Sequence, residues 1–363
     1  MDVKSSVQTQ NEAPGQSSPE AAWALVAMSG GVDSSVAALL ALGGGLDCAG
    51  AFMRLHPGAV NAAHNARAAA DHLGIPLHVF DLTDDFERNV VDGFVRSYME
   101  GSTPNPCIAC NRHIKFGILQ KKAIALGREV LITGHYAQIE RDPGGRYLLK
   151  KAGDASKDQS YFLYALSQEQ LARARFPLGG LAKKHVRELA IEAGLDNARA
   201  RESQDICFIP DGGHVDFIAG RTGAPMPEGR FVGTDGRFLG THKGIARYTV
   251  GQRRGLGLAM PYPAYVLEIR RSDNTIVVGE NERLYSRELA ARDINLIAAA
   301  SLTSPLRACV KIRYRHTEQP ATVWQTGPDS LRIVFDSQQR AITRGQAAVI
   351  YDGSTVIGGG TIA

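Results

Sequence analysis

The sequence predicts an α/β protein with a Rossmann-like parallel-sheet domain, a small mixed middle domain and a C-terminal β-barrel. Three observations point there. From residue 21, short apolar runs alternate with segments of helix length, the order that builds a parallel sheet covered on both faces. After Pro210 the chain becomes rich in Gly, Pro and short strands, with turns such as Thr234-Asp235-Gly236. From Leu289 onward, alternating runs recur at spacings of roughly ten residues, as in a small closed barrel.

The apolar runs Trp23 to Met28, Asp47 to Met53, Pro76 to Phe80 and Glu129 to Thr133 read as strands. Between them, Ser34 to Leu42, Ala59 to Leu73, Asp84 to Glu100 and Cys110 to Leu126 are long enough for helices. Functional residues should gather at the C-terminal ends of such strands. Past Thr133, AQIERDPGGRYLLKKA reads as a hairpin turning at Asp142 to Gly145. Helices follow near Gln159 to Ala165, Gln168 to Arg173 and Lys183 to Ala193. The expected division is a disordered tail over 1–20, a catalytic domain over 21–213, a middle domain over 214–286 and a barrel over 287–363. The middle domain holds the dense RYTVGQRRGLGL at Arg247 to Leu258. The barrel is built from ACVKIRYRH, QPATVWQT, SLRIVFD, QAAVIYDG and TVIGGGTI.

Composition narrows the class. With 363 residues, 44% of them hydrophobic, the chain can bury large cores. Its apolar stretches are far shorter than the ~20 residues of a membrane span, so no membrane is expected. Five cysteines are too few and too scattered for a disulfide framework, which suits a reducing cytoplasm. The tail, with Asp2, Glu12 and Glu20 against Lys4, lacks the Arg-rich character of an organelle presequence. The overall charge of +4 is uneven: residues 1–213 carry 22 basic and 24 acidic groups, residues 214–363 carry 19 and 13. Of those 19 basic residues 17 are Arg, a composition that suits a surface gripping phosphates.

The first predicted strand runs into Ala27-Met28-Ser29-Gly30-Gly31-Val32-Asp33-Ser34 and then a helix. Glycines let the backbone approach a ligand, and helix-start amides point at anions. The Gly-Lys-Ser/Thr of a Walker loop is missing, so γ-phosphate transfer of that kind is not indicated. A Ser-Gly-Gly-x-Asp-Ser turn here resembles the PP-loop of ATP pyrophosphatases, which split ATP between the α and β phosphates. Asp33 would then help hold the Mg²⁺ that comes with ATP, with no resident metal otherwise expected.

Three cysteines sit in polar, loop-like text: Cys107 and Cys110 in TPNPCIACNRHIKF, and Cys207 in SQDICFI. Cys48 and Cys309 lie in strand-like runs and read as buried structural thiols. Cys110 is expected to open its helix with Arg112 and Lys115 within a turn. Helix-start amides and nearby cations would lower its pKa, as suits a nucleophile.

With these motifs, and with ITGHYAQ, KDQSYFL, YTVGQRRGLG, KIRYRH and GQAAVIYDG, the chain resembles the tRNA-specific 2-thiouridylases from about residue 22 to its end. The resemblance implies ATP-dependent replacement of O2 of the wobble uridine by sulfur, in tRNAs for Lys, Glu and Gln. It implies that Cys207 carries a persulfide received from a sulfur-relay protein or cysteine desulfurase, and that Cys110 attacks it and ends in a disulfide with Cys207. Ala27, Met28, Ser29, Gly30, Gly31, Val32, Asp33, Ser34, Met53 and Gly134 match the ATP site. Asn105, Pro106, Cys107, His135, Lys157, Asp158, Gln159, Arg313, Tyr314, Arg315 and Gln346 match positions at the base or the tRNA. Many relatives carry Asp where this chain has Cys107, so the base that activates the attacking thiol is open, with His113 one candidate.

Adenylation turns O2 of uracil into a good leaving group; sulfur then reaches C2 by direct persulfide attack or as released hydrosulfide. One rival makes Cys107, Cys110 and Cys207 the ligands of an iron-sulfur cluster. Others are a small-molecule adenylating ligase and a tRNA-binding module with a vestigial loop.

Overall fold

The computed structural model describes residues 23–199, 206–209, 213–223 and 226–363. The tail expected over 1–20 lies outside them, as does the Ser203 to Asp205 part of SQDICFI. The first sheet contains β1 (Trp23–Ala27), β2 (Asp47–Arg54), β3 (Leu77–Asp81) and β4 (Val130–Ile132). After the hairpin β5 (Gln138–Arg141) and β6 (Tyr147–Lys150), a two-residue strand β7 (Ala174–Arg175) completes it. The order is β3-β2-β1-β4-β7 and every pairing is parallel. Alternate residues of β1 enter two cores: Leu25 and Ala27 face Phe116 and Leu119, while Ala24 and Val26 face Val36, Ala66 and Val186. The chain switches sides between β3 and β4, so the crevice at the C-terminal ends of β1 and β4 is the topological switch point.

The expected strands and helices of this domain are present, with two refinements. β7 was not foreseen, because two residues carry no readable period. The helix spanning Thr83–Met99 contains a π-helical turn at Glu87–Val91, and that starting at Pro106 is π-helical over Cys110–Leu119, a rare geometry often found at functional sites.

The middle sheet has the order β10-β11-β8-β9, from β8 (Gly229–Val232), β9 (Phe238–His242), β10 (Tyr265–Arg270) and β11 (Thr275–Gly279), around Phe231, Val266, Ile276 and Val278. Six strands then form the barrel: β12 (Tyr285–Leu296), β13 (Leu306–Lys311), β14 (Gln319–Gly327), β15 (Ser330–Arg340), β16 (Ala347–Asp352) and β17 (Thr355–Ile362). Their order is β12-β15-β14-β13-β16-β17, and β12 pairs with β17 to close the ring. The hairpin does not stay with the parallel sheet: β6 pairs with β17, Thr355 opposite Lys150 and Val356 opposite Leu149. Leu149, Val349, Tyr351 and Val356 therefore share a core with Leu25 and Leu131. Cys48 is buried as expected; Cys309 is only half-buried.

Candidate active site

The loop after β1 is shaped by Gly30, at φ +81°, where a Cβ would lie 2.4 Å from the Ala62 carbonyl oxygen. Gly31 caps the helix Val32–Gly43, so the helix begins before Ser34 and its first amides face the loop. The Ser34 hydroxyl donates to Gly31 O at 2.9 Å and accepts from the Ser29 amide at 3.2 Å. From below, buried Asn197 donates to Gly30 O and to Ser35 Oγ, both at 3.0 Å. Across the crevice, a Cβ on Gly134 would stand 2.7 Å from the Asp33 carbonyl carbon and 2.9 Å from the Ser34 amide, so only glycine lets the β4 turn come this close. This cradle of amides and hydroxyls fits a phosphate chain.

Asp33 is not alone. The buried Lys183 ammonium donates to both its oxygens, at 2.6 and 2.8 Å, and the Tyr136 hydroxyl donates to Oδ1 at 2.8 Å. A cation at the loop is what the missing Walker lysine leaves wanting, and it arrives from a distant helix, Lys183–Glu192. The sequence reading missed Lys183, Tyr136 and Asn197. Only Tyr136 had a local signal, through its place in ITGHYAQ.

The same β4 turn leads to the thiols. His135, next to Gly134, is buried; its Nδ1 lies 2.7 Å from Thr133 Oγ1 and its Nε2 3.5 Å from Lys115 Nζ. Burial and the Lys115 charge hold its pKa well below the ordinary value, so the ring is neutral. An ammonium donating to Nε2 leaves the Nδ1 proton directed at Thr133. Lys115 is also the cation that opposes a rise in pKa at Cys107, Cys110 and Cys207 alike. Burial pushes Cys110 up to about 12, with the neighbouring Cys207 and Cys107 adding to the rise. Cys107 and Cys207 reach the surface, yet the protein packed around them raises both thiols as well.

Two expectations about Cys110 are corrected here. The helix starts at Pro106, capped by Asn105, whose Oδ1 accepts the Cys107 amide at 3.2 Å, so Cys110 stands a turn inside rather than at the start. Its thiol is accordingly raised by desolvation, not lowered by free amides. Nor does Arg112 serve it: that guanidinium pairs with Asp293 of β12 at 3.0 Å. His113 lines a cavity of about 230 Å³ with Asn89, Ser97, Asn105 and Asp293, whose described walls include none of the thiols.

The Cys207 segment is anchored by its neighbour Phe208, which sits edge-on to Phe86 and Phe94, each at 5.4 Å, and against Phe217 at 5.3 Å. Phe208 packs on the same cluster as Cys110 and Ile114, which brings residues 98 apart in sequence to one place. Phe208 was another residue that sequence reasoning did not single out.

The remaining expected residues spread over both domains. Met53, near the end of β2, packs partly buried against the core that holds Leu25 and Phe116. Pro106 is the first residue of the helix and is buried. Lys157 is half-buried, and Gln159 accepts the Tyr136 amide at 3.0 Å. Asp158 is buried, its carboxylate accepting from the Ala152 and Ser160 amides at 3.1 Å and from the Ser160 hydroxyl at 2.9 Å. On the barrel, Arg313 donates to the Arg340 carbonyl, the Tyr314 ring lies tilted against Phe162 with centroids 4.3 Å apart, and Arg315 is exposed. Gln346 donates to the Thr103 carbonyl at 2.8 Å, and the Thr103 amide donates to Arg344 O at 2.9 Å. The barrel thus grips the start of the TPNPC loop. Among the described residues, no group of three or more His, Cys, Asp or Glu side chains is arranged to hold a metal, and no helix is long and apolar enough to cross a membrane.

A parallel sheet with a glycine turn and a buried lysine at its switch point, followed by two β-rich domains, defines a PP-loop ATP-binding enzyme. Family models match in the same order: a "tRNA methyl transferase HUP domain" over 23–211, a "tRNA methyl transferase PRC-barrel domain" over 215–280 and an "Aminomethyltransferase beta-barrel domain" over 286–362. The tRNA-specific 2-thiouridylase MnmA of Clostridioides difficile (strain 630) is 46% identical over 350 residues, 93% of this chain and 97% of its own. That of Moorella thermoacetica is 47% identical over 351 residues, covering 93% and 98%. A solved 4-thiouridine synthetase–RNA complex with bound ATP aligns over 51% of this chain and 44% of its own, at 22% identity and a TM-score of 0.34, too low to bear on function. The chain belongs to the tRNA-specific 2-thiouridylase family.

Proposed function

We propose that the protein is a tRNA sulfurtransferase of the cytoplasm that uses ATP to convert the wobble uridine of tRNAs of the Lys, Glu and Gln type to 2-thiouridine, releasing AMP and pyrophosphate. One juxtaposition carries this reading: Asp33 and Ser34 touch Gly134, His135 follows, and Lys115 stands at His135 Nε2 while its charge acts on all three thiols. Adenylation and sulfur chemistry then share a wall. In this reading residues 21–213 carry the chemistry, while 214–286 and 287–363 hold the RNA.

ATP supplies the leaving group: once O2 carries AMP, C2 of the base is an electrophile. The amides of the Gly30–Ser34 turn and Lys183 stabilise negative charge as pyrophosphate departs, which is electrostatic catalysis by groups already in place. Asp33 is the carboxylate available to Mg²⁺, and Lys183 and Tyr136 orient it. A persulfide on Cys207, loaded by a sulfur-relay protein or cysteine desulfurase, brings the sulfur. Its terminal sulfur bonds C2 as the AMP oxygen leaves; Cys110 thiolate then attacks Cys207 Sγ, the S–S bond to the base breaks, and a Cys110–Cys207 disulfide remains for a cellular thiol to reduce. If Cys110 attacks first, hydrosulfide leaves and adds to C2, with the same products. Either order asks Cys110 to lose its proton, and Lys115 is the charge that eases the loss. The target base must leave the anticodon stack to reach this wall.

A second reading is an iron-sulfur cluster on Cys107, Cys110 and Cys207, since Cys107 and Cys207 both stand near enough to Cys110 to raise its pKa. The described side chains do not stand in metal-binding geometry, so no step is derived through a cluster.

The test is thiolation of an unmodified tRNA transcript with ATP, Mg²⁺ and a persulfide donor, under anaerobic conditions, with and without chelator. Cys110→Ser and Cys207→Ser should abolish thiolation while keeping tRNA-dependent pyrophosphate release, and Cys107→Ser should stay active. If all three fail together and chelation stops the wild type, the cluster reading replaces the persulfide one.

A further inference from the structure

The middle domain carries a groove that the chemistry described so far leaves unused. Its cavity, of about 270 Å³, is lined by Arg253, Leu256, Leu258, Met260 and Tyr262. That is smaller than the ~300–1,000 Å³ of pockets that enclose drug-sized ligands, and of the scale of one flat ring. Left-handed turns at Gly255 (φ +77°) and Gly257 (φ +70°) shape the loop. Tyr262 is 37% exposed, so part of a large aromatic side chain is within a ligand's reach. Arg253 and Arg254 are exposed, and neither guanidinium has a partner among the described residues. An exposed tyrosine beside two uncommitted guanidiniums matches a base with its phosphates, since a base offers a π face and its backbone offers anions. The strongly Arg-biased charge of residues 214–363 points the same way.

Position makes the match specific. Thr249 Oγ1 lies 3.4 Å from Thr103 Oγ1, at the head of the loop that carries Cys107. Arg253 stands four positions along the chain from Thr249, a reach of at most roughly 14 Å. Arg253, at the edge of the groove, therefore lies within that reach of the Thr249–Thr103 contact.

We propose that this groove clamps a single unstacked nucleotide of the substrate RNA close to the target uridine, its base on Tyr262 and its phosphates on Arg253 and Arg254. The proposal rests on the tRNA-thiolation reading and adds a binding site to it. By holding a neighbour of the target, the clamp would keep the anticodon loop open while the target base sits at the thiols.

The experiment titrates wild type, Tyr262→Ala, Tyr262→Phe and Arg253→Ala with an anticodon stem–loop RNA and with copies in which each loop nucleotide in turn is abasic. Tyr262→Ala should weaken binding to the intact stem–loop roughly 5- to 100-fold, the worth of one base–aromatic stack, while Tyr262→Phe keeps it. With one abasic position, and only that one, Tyr262→Ala should cost nothing further. Arg253→Ala should lower the slope of log affinity against log salt by about 0.7. No loss in Tyr262→Ala, or the same loss at every abasic position, overturns the clamp. Failure of the wider reading looks different: RNA bound by wild type with this Tyr262 signature, but never thiolated, leaves the clamp standing, whereas wild type that binds no RNA removes both.

Discussion

Lys115 and Lys183 do different work at one wall, and each makes a prediction at the scale of a single side chain. Lys115 favours the thiolate forms of Cys107, Cys110 and Cys207 against burial, which raises all three. Removing a cation raises thiol pKa values further, so less thiolate is present at a given pH. Lys115→Met should therefore slow sulfur transfer near neutrality and move the rising limb of its pH–rate profile to higher pH, with Lys115→Arg close to wild type. An unshifted profile would mean that another group sets the reactive thiol's ionisation. Lys183 instead holds Asp33 at 2.6 Å and faces the phosphate loop. Lys183→Met should cut tRNA-dependent pyrophosphate release by roughly 10²-fold, as loss of one preorganised charge does, with tRNA affinity unchanged and Lys183→Arg partly restored. Normal pyrophosphate release in Lys183→Met would reduce the lysine to a structural partner of Asp33. The thiols could be picked from their polar context in the sequence, but neither the burial of Cys110 nor the ion pair of Lys183 could, because both depend on contacts made by distant segments.

At the scale of elements, the phosphate loop was the most legible part of the chain. Its glycines, its strand before and its helix after follow from local chemistry, and the structure adds why Gly30 is required: a left-handed φ of +81° and the Ala62 carbonyl behind it. Gly30→Ala should lower stability by about 1–3 kcal/mol and weaken ATP binding together, read by thermal denaturation and by nucleotide titration. An unchanged melting temperature with full ATP affinity would show that the turn tolerates a side chain. The helix of the thiols was less legible. An apolar period locates its body but not its start, because Asn105-Pro106, a capping residue followed by proline at the first helical position, stands ahead of that period and reads as loop. The π-helical stretch from Cys110 to Leu119 has no sequence period of its own to announce it.

At the scale of the whole molecule, barrel and catalytic domain are one structure at two points. β6 extends the barrel sheet through β17, and Arg344, Gly345 and Gln346 hold the head of the TPNPC loop. Local patterns revealed the barrel and its strands, yet they could not reveal these joints, since a pairing between Leu149 and Val356 leaves no periodic trace in either segment. The joint at Thr103 ties the barrel to the loop of the thiols as well. Gly345 sits at φ +88°, and a Cβ there would be 3.0 Å from both Thr103 N and O, while the Gln346 amide is already spent on the Thr103 carbonyl. A residue committed in this way would act on the reaction through the loop. Gln346→Ala should then lower the thiolation rate at saturating tRNA, about 10-fold or more if the loop shifts by an ångström, while tRNA Kd stays the same. The opposite split, a weaker Kd with the saturated rate preserved, would show that Gln346 turns from Thr103 to the RNA when substrate binds, as the family resemblance implies.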